Sequence, residues 1–401
     1  MCVVENISCR PVIKPSSDVW FTNCGRAYVA DLASLKGTVP WETIFATQRK
    51  DHRFFEIVEE TITEDFDYHY LVLEDLHGKV RGIQPFFLRT QDLLGGKGPR
   101  VQKLLGKSRM ILPSLLTMRT LMVGSPVGEG CLGAAPEDID WCAEALLSAL
   151  MPCAQYFGAS LIVMKEFPVG LRSNLARFVR QSYARIPSMP YVALDLPFRN
   201  FDEYMQTMLS TAYRKNLRRK FKRTAQAAPI TMEVVSDITP YVEEIYPLYL
   251  QVYERSALRF EKLTAEYLCR IGQTSPAKTK FFIWRQSGRA VAFSVCSLHD
   301  GALWDEYLGM DYRVALDLHL YFTTLRDLIE WCCAHGVKRY YSTALQYDPK
   351  LHLRFALVPM DLYVRHTNAV FNSIFRRVLP LLDPTRQDAT LKKFHNASEL
   401  W

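Results

Sequence analysis

Between Lys280 and Thr343 the hydrophobic period changes once, from two to 3.6, and that single change restricts the folds open to the chain. Lys280–Trp284 is apolar and aromatic enough for a strand, Gln286–Arg289 is a turn, and Ala290–Leu298 is the returning strand. His299-Asp300-Gly301 turns again into a third strand, Leu303–Met310. Beyond it Leu318, Phe322, Leu325, Ile329 and Cys332 recur at helical spacing, with Thr323, Arg326, Asp327 and Glu330 off the stripe. Gly336 is placed to end that helix, and Val337–Ser342 begins another strand.

The same order occurs earlier. Tyr68–Glu74 and Val80–Arg89 form a hairpin around Gly78, a polar loop runs from Gln91 to Lys107, and Arg119–Val123 is a third strand. A glycine-rich break, Gly124–Gly130, leads to a helix opened by Pro136. Its first turn carries Glu137, Asp138 and Asp140, and its stripe runs through Ala143, Leu146, Leu147, Leu150 and Ala154. Leu161–Met164 is the strand that follows. Two copies of one α+β architecture are therefore expected, each a mixed twisted sheet flanked by helices.

Elsewhere, Ile44–Phe55 and Gly170–Tyr183 have helical patterns, and Tyr191–Leu196 reads as a strand. Pro187, Pro190 and Pro197 mark a junction between the copies. Asn200–Ala225 reads as one long amphipathic helix, Ile230–Val235 as a strand, and Pro240–Ala257 and Thr264–Gly272 as helices. The last helical pattern, Ala369–Leu379, sets Val370, Phe371, Ile374, Phe375, Val378 and Leu379 against Arg376 and Arg377, a pattern fit for the protein body or a bilayer surface. The expected division is 1–190, 191–366 and an amphipathic tail, 367–401.

Composition removes several classes. With 401 residues, 49% hydrophobic and 23% charged, the chain suits two or three packed domains. Its ten cysteines include no Cys-x-x-Cys pair, which argues against structural zinc and a secreted disulfide framework and for reduced thiols in a cytoplasm. No metal is expected, and Cys332-Cys333 reads as core filling. Met1–Lys14 has no apolar run that would make a signal peptide. Ala145–Met164 lacks charge for twenty positions, but Pro152, Gln155, Gly158 and Ser160 divide it into helix, turn and strand. Phosphate-loop, serine-elbow and zinc-peptidase motifs do not occur in the sequence.

Tyr213–Arg223 holds seven basic residues in eleven. Leu209, Tyr213, Leu217 and Phe221 are spaced by four and form one buried stripe. Arg214, Lys215, Arg218, Arg219, Lys220, Lys222 and Arg223 cover the rest. Such a face suits the phosphates of coenzyme A, tRNA or anionic lipid.

The strand-helix order at 280–343 resembles the core of the GNAT acyltransferase superfamily. The Ser210–Lys220 segment, with its Arg-Lys-Asn and Arg-Arg-Lys runs, is similar to the opening helix of the FemAB-like tandem-GNAT group. Lys338–Ser342, Tyr347-Asp-Pro-Lys350, Arg354 and Leu362–Arg365 continue that likeness, which covers about 65–366 in order. The resemblance implies transfer of an acyl group from an acyl thioester, most simply acyl-CoA, to an amine by direct attack. The thioester would lie in a gap between the third strand and the next. Glu306 stands where the base belongs, with Asp305 on the opposite strand face. Gly309 and Met310 would pair with the pantetheine arm, and Arg313 stands in a loop lacking the usual glycines. Tyr347 is the candidate acid, and Lys350 and Arg354 join Lys215, Arg218 and Arg219 as anion contacts. In the first copy the acidic helix start repels phosphate, so catalysis is assigned to the second copy, with Glu129 as a further candidate.

Aromatic content and the amphipathic tail suit a long acyl chain or a lipid amine, with peripheral attachment at an inner membrane. Two other readings remain open. One is aminoacyl transfer from charged tRNA, against which the missing coiled-coil insertion counts, so that nucleic acid is not the expected partner. The other is a non-catalytic module that binds anions or membrane.

Overall fold

The structure is a computed structural model that describes residues 13–92, 117–256 and 259–401. Met1–Val12, most of the polar loop after Gln91, and with them Cys2 and Cys9, lie outside the described residues.

The chain divides into two compact units. The first comprises Met1–Ile186 and Asp361–Leu382; the second comprises Pro187–Met360 and Asp383–Trp401. Both are discontinuous: 361–382 group with the first unit and 383–401 with the second. Asn372 Nδ2 donates to the Ser182 carbonyl at 3.0 Å in the first unit. Leu391, Phe394 and Leu400 are buried in the core of the second.

In the first unit the strands are β1 (Trp20–Thr22), β2 (Gly25–Ala30), β3 (Asp67–Asp75), β4 (Val80–Asp92), β5 (Thr117–Val123) and β6 (Leu161–Pro168), in that spatial order. All neighbours are antiparallel except β5 and β6, which pair in parallel from Thr120↔Leu161 to Val123↔Met164. A parallel pair needs a crossover, and the helix Ile139–Tyr156 supplies it. Its small residues Ala143, Ala145, Ala149 and Ala154 are buried with Leu146 and Leu150 against Leu71, Leu73, Leu121, Ile162 and Met164. Gly158, at φ +63°, lets the chain turn back into β6. The expected helix Ile44–Phe55 is instead two helices, Val39–Ile44 and His52–Thr61, separated by a loop. That loop is held because Gln48 Nε2 donates to the Leu132 and Ala134 carbonyls and Lys50 Nζ to that of Val127.

The second unit repeats the plan. Its strands are β7 (Ala184–Asp195), β8 (Ile230–Val235), β9 (Thr279–Gln286), β10 (Arg289–His299), β11 (Ala302–Met310) and β12 (Arg339–Ser342), in the spatial order β7-β12-β11-β10-β9-β8. Only β11 and β12 are parallel, joined by the helix Leu320–Ala334. A last strand, β13 (Ala356–His366), begins in the second unit and ends in the first. The helix stripe differs by part of a turn from the sequence reading. Thr323 is buried at 1% exposure and bonds the Leu318 carbonyl, while Phe322 is half-buried. The reason is that residues 311–319 form turns and the helix starts only at Leu320.

Asn200–Ala225 is also two helices, Phe201–Met208 and Thr211–Thr224. Leu209 takes an extended ψ of 145°, and the Ser210 hydroxyl accepts from the Tyr213 amide at 3.3 Å, capping the second helix.

Candidate functional site

Four rungs join β11 to β12: Ala302↔Arg339, Leu303↔Tyr340, Trp304↔Tyr341 and Asp305↔Ser342. There the pairing stops, because β12 ends at Ser342 while β11 runs on to Met310. On its other side β11 remains paired to β10 as far as Ala292↔Met310. Residues 306–310 thus form a strand with one edge paired and the edge toward β12 without a strand partner. Such an edge presents N–H and C=O groups to any extended chain carrying amides.

The fork coincides with a bulge. Val295 opposes Tyr307 and Cys296 opposes Asp305, so Glu306 is the extra residue on β11. A bulge re-aims side chains and breaks strict alternation. Glu306 Oε1 accepts from the Ser297 hydroxyl at 2.6 Å, and the carboxylate is half-buried. Around it Trp304 stacks on Tyr341 at 3.7 Å between centroids, with Tyr191 edge-on to Trp304 at 6.4 Å. Next to Glu306 in the chain, Tyr307 donates to Glu261 Oε1 at 2.6 Å. Gly309 is required by packing, since a Cβ there would fall 2.2 Å from the Phe293 ring.

Asp305 has a different setting. Tyr340 Oη donates to Asp305 Oδ2 at 2.5 Å, and Cys296 Sγ lies 3.8 Å from Oδ1. Burial pushes the Asp305 carboxyl above its usual range, against the Tyr340 hydroxyl and the charge of Lys350. Lys350 is itself 4% exposed, and desolvation brings its ammonium down to about 8. It donates to the carbonyls of Thr343 at 2.6 Å and Leu345 at 2.9 Å. Leu345 and Gln346 both have positive φ, 75° and 51°, so Lys350 holds a strained turn beside the fork. Lys350, expected as an anion contact, thus spends two of its three N–H bonds on carbonyls inside the protein.

Tyr347 is also bonded within the protein. Its hydroxyl is buried and donates to the Pro190 carbonyl at 2.8 Å, a contact it would have to leave to act as an acid. Arg313, expected as a phosphate contact, folds back on Asp311 with Nε–Oδ1 at 2.9 Å and Nη2–Oδ2 at 2.7 Å. Met310 is buried, and Arg354 is exposed at φ 60°.

The cationic helix meets the start of the helix Leu320–Ala334 through residues other than the expected contacts Lys215, Arg218 and Arg219. Thr224 Oγ1 donates to the Leu318 carbonyl at 2.8 Å, Arg223 lies 4.0 Å from Asp317, and Lys220 Nζ lies 4.7 Å from the Phe322 ring centre. His319, at the start of the helix Leu320–Ala334, is depressed by burial and then by the charges of Lys220 and Arg223. A helix N-terminus flanked by these cations suits a phosphate. Only the phase of the helix, fixed by the burial of Leu217 and Thr224, reveals which basic residues face this point. Lys215, Arg218 and Lys222 are exposed, with no carboxylate partner among the described residues; Arg219 donates to the Asn216 side chain at 3.1 Å.

The corresponding place in the first unit is filled by its own chain. After the last rung, Val123↔Met164, the Gly124–Gly130 loop runs beside β6, and the Gly130 amide donates to the Glu166 carbonyl at 3.0 Å. A Cβ at Gly130 would lie 2.3 Å from the Lys165 carbonyl, so only glycine fits. Glu129 is bound by Arg49 Nη2 at 2.5 and 2.6 Å, with Lys50 Nζ at 3.4 Å. Burial opposes its charge, yet the two cations together bring the carboxyl down to about 2. A carboxylate so held is a poor proton acceptor, which corrects the catalytic expectation for Glu129.

Residues 211–348 match the acetyltransferase (GNAT) domain family. The chain carries a GNAT domain. That domain begins at the cationic helix and ends just past Tyr347, so it contains the fork, the bulge and the loop before Leu320. FemX shares the fold, at 10% identity and TM-score 0.50 over 81% of this chain and 93% of that one. L-PGS from Bacillus licheniformis is similar at 12% identity and TM-score 0.48, over 82% and 95%. No curated protein matches the chain. With its repeated unit, the chain has a tandem GNAT-like fold. Among the described residues no side-chain cluster could hold a metal ion, and no helix is long and apolar enough to cross a membrane.

Proposed function

We propose that the GNAT domain moves an acyl group from a coenzyme A thioester to an amine by direct attack, with Glu306 as base. The observation that carries this is the end of β11–β12 pairing at Asp305↔Ser342, beside the bulged Glu306. The open edge of residues 306–310 suits the amides of a pantetheine arm. The cations Lys220 and Arg223 beside the helix start at Leu320 suit its phosphates.

In the reaction the amine nitrogen forms a bond to the thioester carbon, the C–S bond breaks, and its electron pair leaves on sulfur. Glu306 takes the proton the nitrogen loses and gives it up to solvent, the thiolate takes one from solvent, and the products are an amide and a thiol. A free thiol titrates near ~8.5, so the thiolate leaves readily at neutral pH without a dedicated acid. That removes the chemical need for Tyr347 in this role. The half-buried rings of Trp304, Tyr341, Tyr191 and Tyr307 favour an acceptor or acyl group with an apolar body, such as a long acyl chain or an amino lipid. Eight free thiols among the described residues suit a reducing cytoplasm.

A second reading, aminoacyl transfer from charged tRNA, draws support from the exposed Lys215, Arg218 and Lys222. One experiment separates the two. Thiol release is followed with acetyl and long-chain thioesters over a panel of amines, in parallel with tRNA binding at increasing salt. Amine-dependent thiol release with long-chain thioesters is the expected result, and Glu306→Gln lowers kcat by ~10²–10⁴-fold. Turnover of acetyl thioester alone defeats the long-chain assignment. Steeply salt-dependent tRNA binding without thiol release defeats the thioester donor, and unchanged rates in Glu306→Gln defeat the base.

A further inference from the structure

The helix Ala369–Val378 is turned inside out. Its anchor is polar: Asn372 is 6% exposed, accepts from the His366 amide at 3.0 Å and donates to the Ser182 carbonyl at 3.0 Å. At about 100° per residue, Val370, Ile374, Val378 and Phe371 fall on one arc that points away from Asn372. These are the exposed side chains: Val370 70%, Ile374 50%, Phe371 45% and Val378 41%, with Leu381 at 80% just beyond. Arg377, exposed in the last turn, borders the arc next to Val370, Arg376 lies on the Asn372 side, and residues 369–382 contain no acidic side chain. A helix that buried its apolar face in its own protein would show the reverse.

We infer that this helix is a docking face for an anionic lipid surface, with the apolar arc entering the acyl boundary and Arg377 at its border meeting lipid phosphate. Two features select lipid over a second copy of the chain. Ten residues make a helix about 15 Å long, so the arc offers at most a few hundred Å², short of the ~800 Å² per partner of a stable protein interface. The arc is also convex and bordered by the cation Arg377 with no acidic side chain in 369–382, a pattern that repels its own copy in a symmetric pair and complements an anionic bilayer. The inference stands apart from the acyltransferase reading, because none of these residues belongs to the fork.

Vesicle flotation of the full chain tests it, using phosphatidylcholine vesicles with and without phosphatidylglycerol. The wild-type protein is expected to float with the anionic vesicles only. The pair Val370→Ser, Ile374→Ser is expected to weaken that partition at least about tenfold, and Arg377→Gln about fivefold. Circular dichroism and thioester turnover remain unchanged in both, since the altered side chains are exposed. A wild-type protein that stays at the bottom with anionic vesicles overturns the inference. So does a Val370→Ser, Ile374→Ser variant that floats like wild type. A wild-type dimer that this variant converts to monomer overturns it too, by giving the face to a second copy. Finally, Lys215→Gln with Arg218→Gln should leave flotation intact; its loss there would move the lipid site to the cationic helix.

Discussion

Asp305 and Ser342 form the last rung between β11 and β12, and the next residue on β11, Glu306, is the bulge. One backbone position therefore ends the pairing, opens an edge and re-aims a carboxylate. Asp305 guards the closed side of that position with Tyr340, while Glu306 lies beyond it against Ser297. Two adjacent carboxylates thus acquire different chemistry from the strand geometry alone.

Lys350 makes stability rise with pH. Its folded-state value, about 8, lies below the unfolded 10.5, so between them the unfolded chain binds more protons and the native state gains on raising the pH. Relative to Lys350→Met, wild type should gain on the order of 3 kcal/mol from about pH 8 to about pH 10.5 in urea unfolding. Parallel curves for the two proteins would show that the ammonium is not buried.

Glu129 gives the opposite limb. Its carboxyl is depressed from 4.5 to about 2, so its contribution is complete above about pH 4.5 and is lost as the pH falls toward 2. Glu129→Gln should cost about 3 kcal/mol at neutral pH and remove that acid-limb loss. The folded fraction of the variant should keep wild-type kcat, which separates this ion pair from Glu306.

At the cationic helix, Lys220→Gln with Arg223→Gln should raise KM for a coenzyme A thioester about tenfold with kcat little changed. A pantetheine thioester lacking the nucleotide should show no such change. Equal effects on both substrates would take the phosphates away from this place.

Asp361 has no measurable exposure of its side chain and binds Arg172 at 2.5 Å and Arg185 at 3.0 Å. Asp361→Ala should lower stability by ~3–5 kcal/mol, because two guanidinium groups lose their carboxylate at once. Thermal unfolding of the variant should fall on the order of 10 °C.

The second unit was legible where period and turn chemistry agree. β9, β10, β11 and β12 lie where alternation, Gly288 and Gly301 place them, and Gly336 ends the helix at φ +68°. The helix phase at Leu320 was misread because the turns of 311–319 imitate helical spacing before the helix begins. The bulge at Glu306 leaves no mark in a single strand, since it exists only as register against β10. Lys350 and Tyr347 looked like surface chemistry because nothing local says that the carbonyls of Thr343, Leu345 and Pro190 will take their protons. The short strands β1 and β2 carry too few residues for a periodic signal.

The path of β13 has a consequence for synthesis on the ribosome. The first unit needs Asp361 to satisfy Arg172 and Arg185, yet Asp361 is translated only after the whole of 187–360. At ~5–20 residues per second the nascent first unit waits roughly 10–35 s for its closing piece. A fragment ending at Ile186 would therefore emerge with its arginines unanswered, and each unit waits for a late piece, 361–382 for the first and then 383–401 for the second.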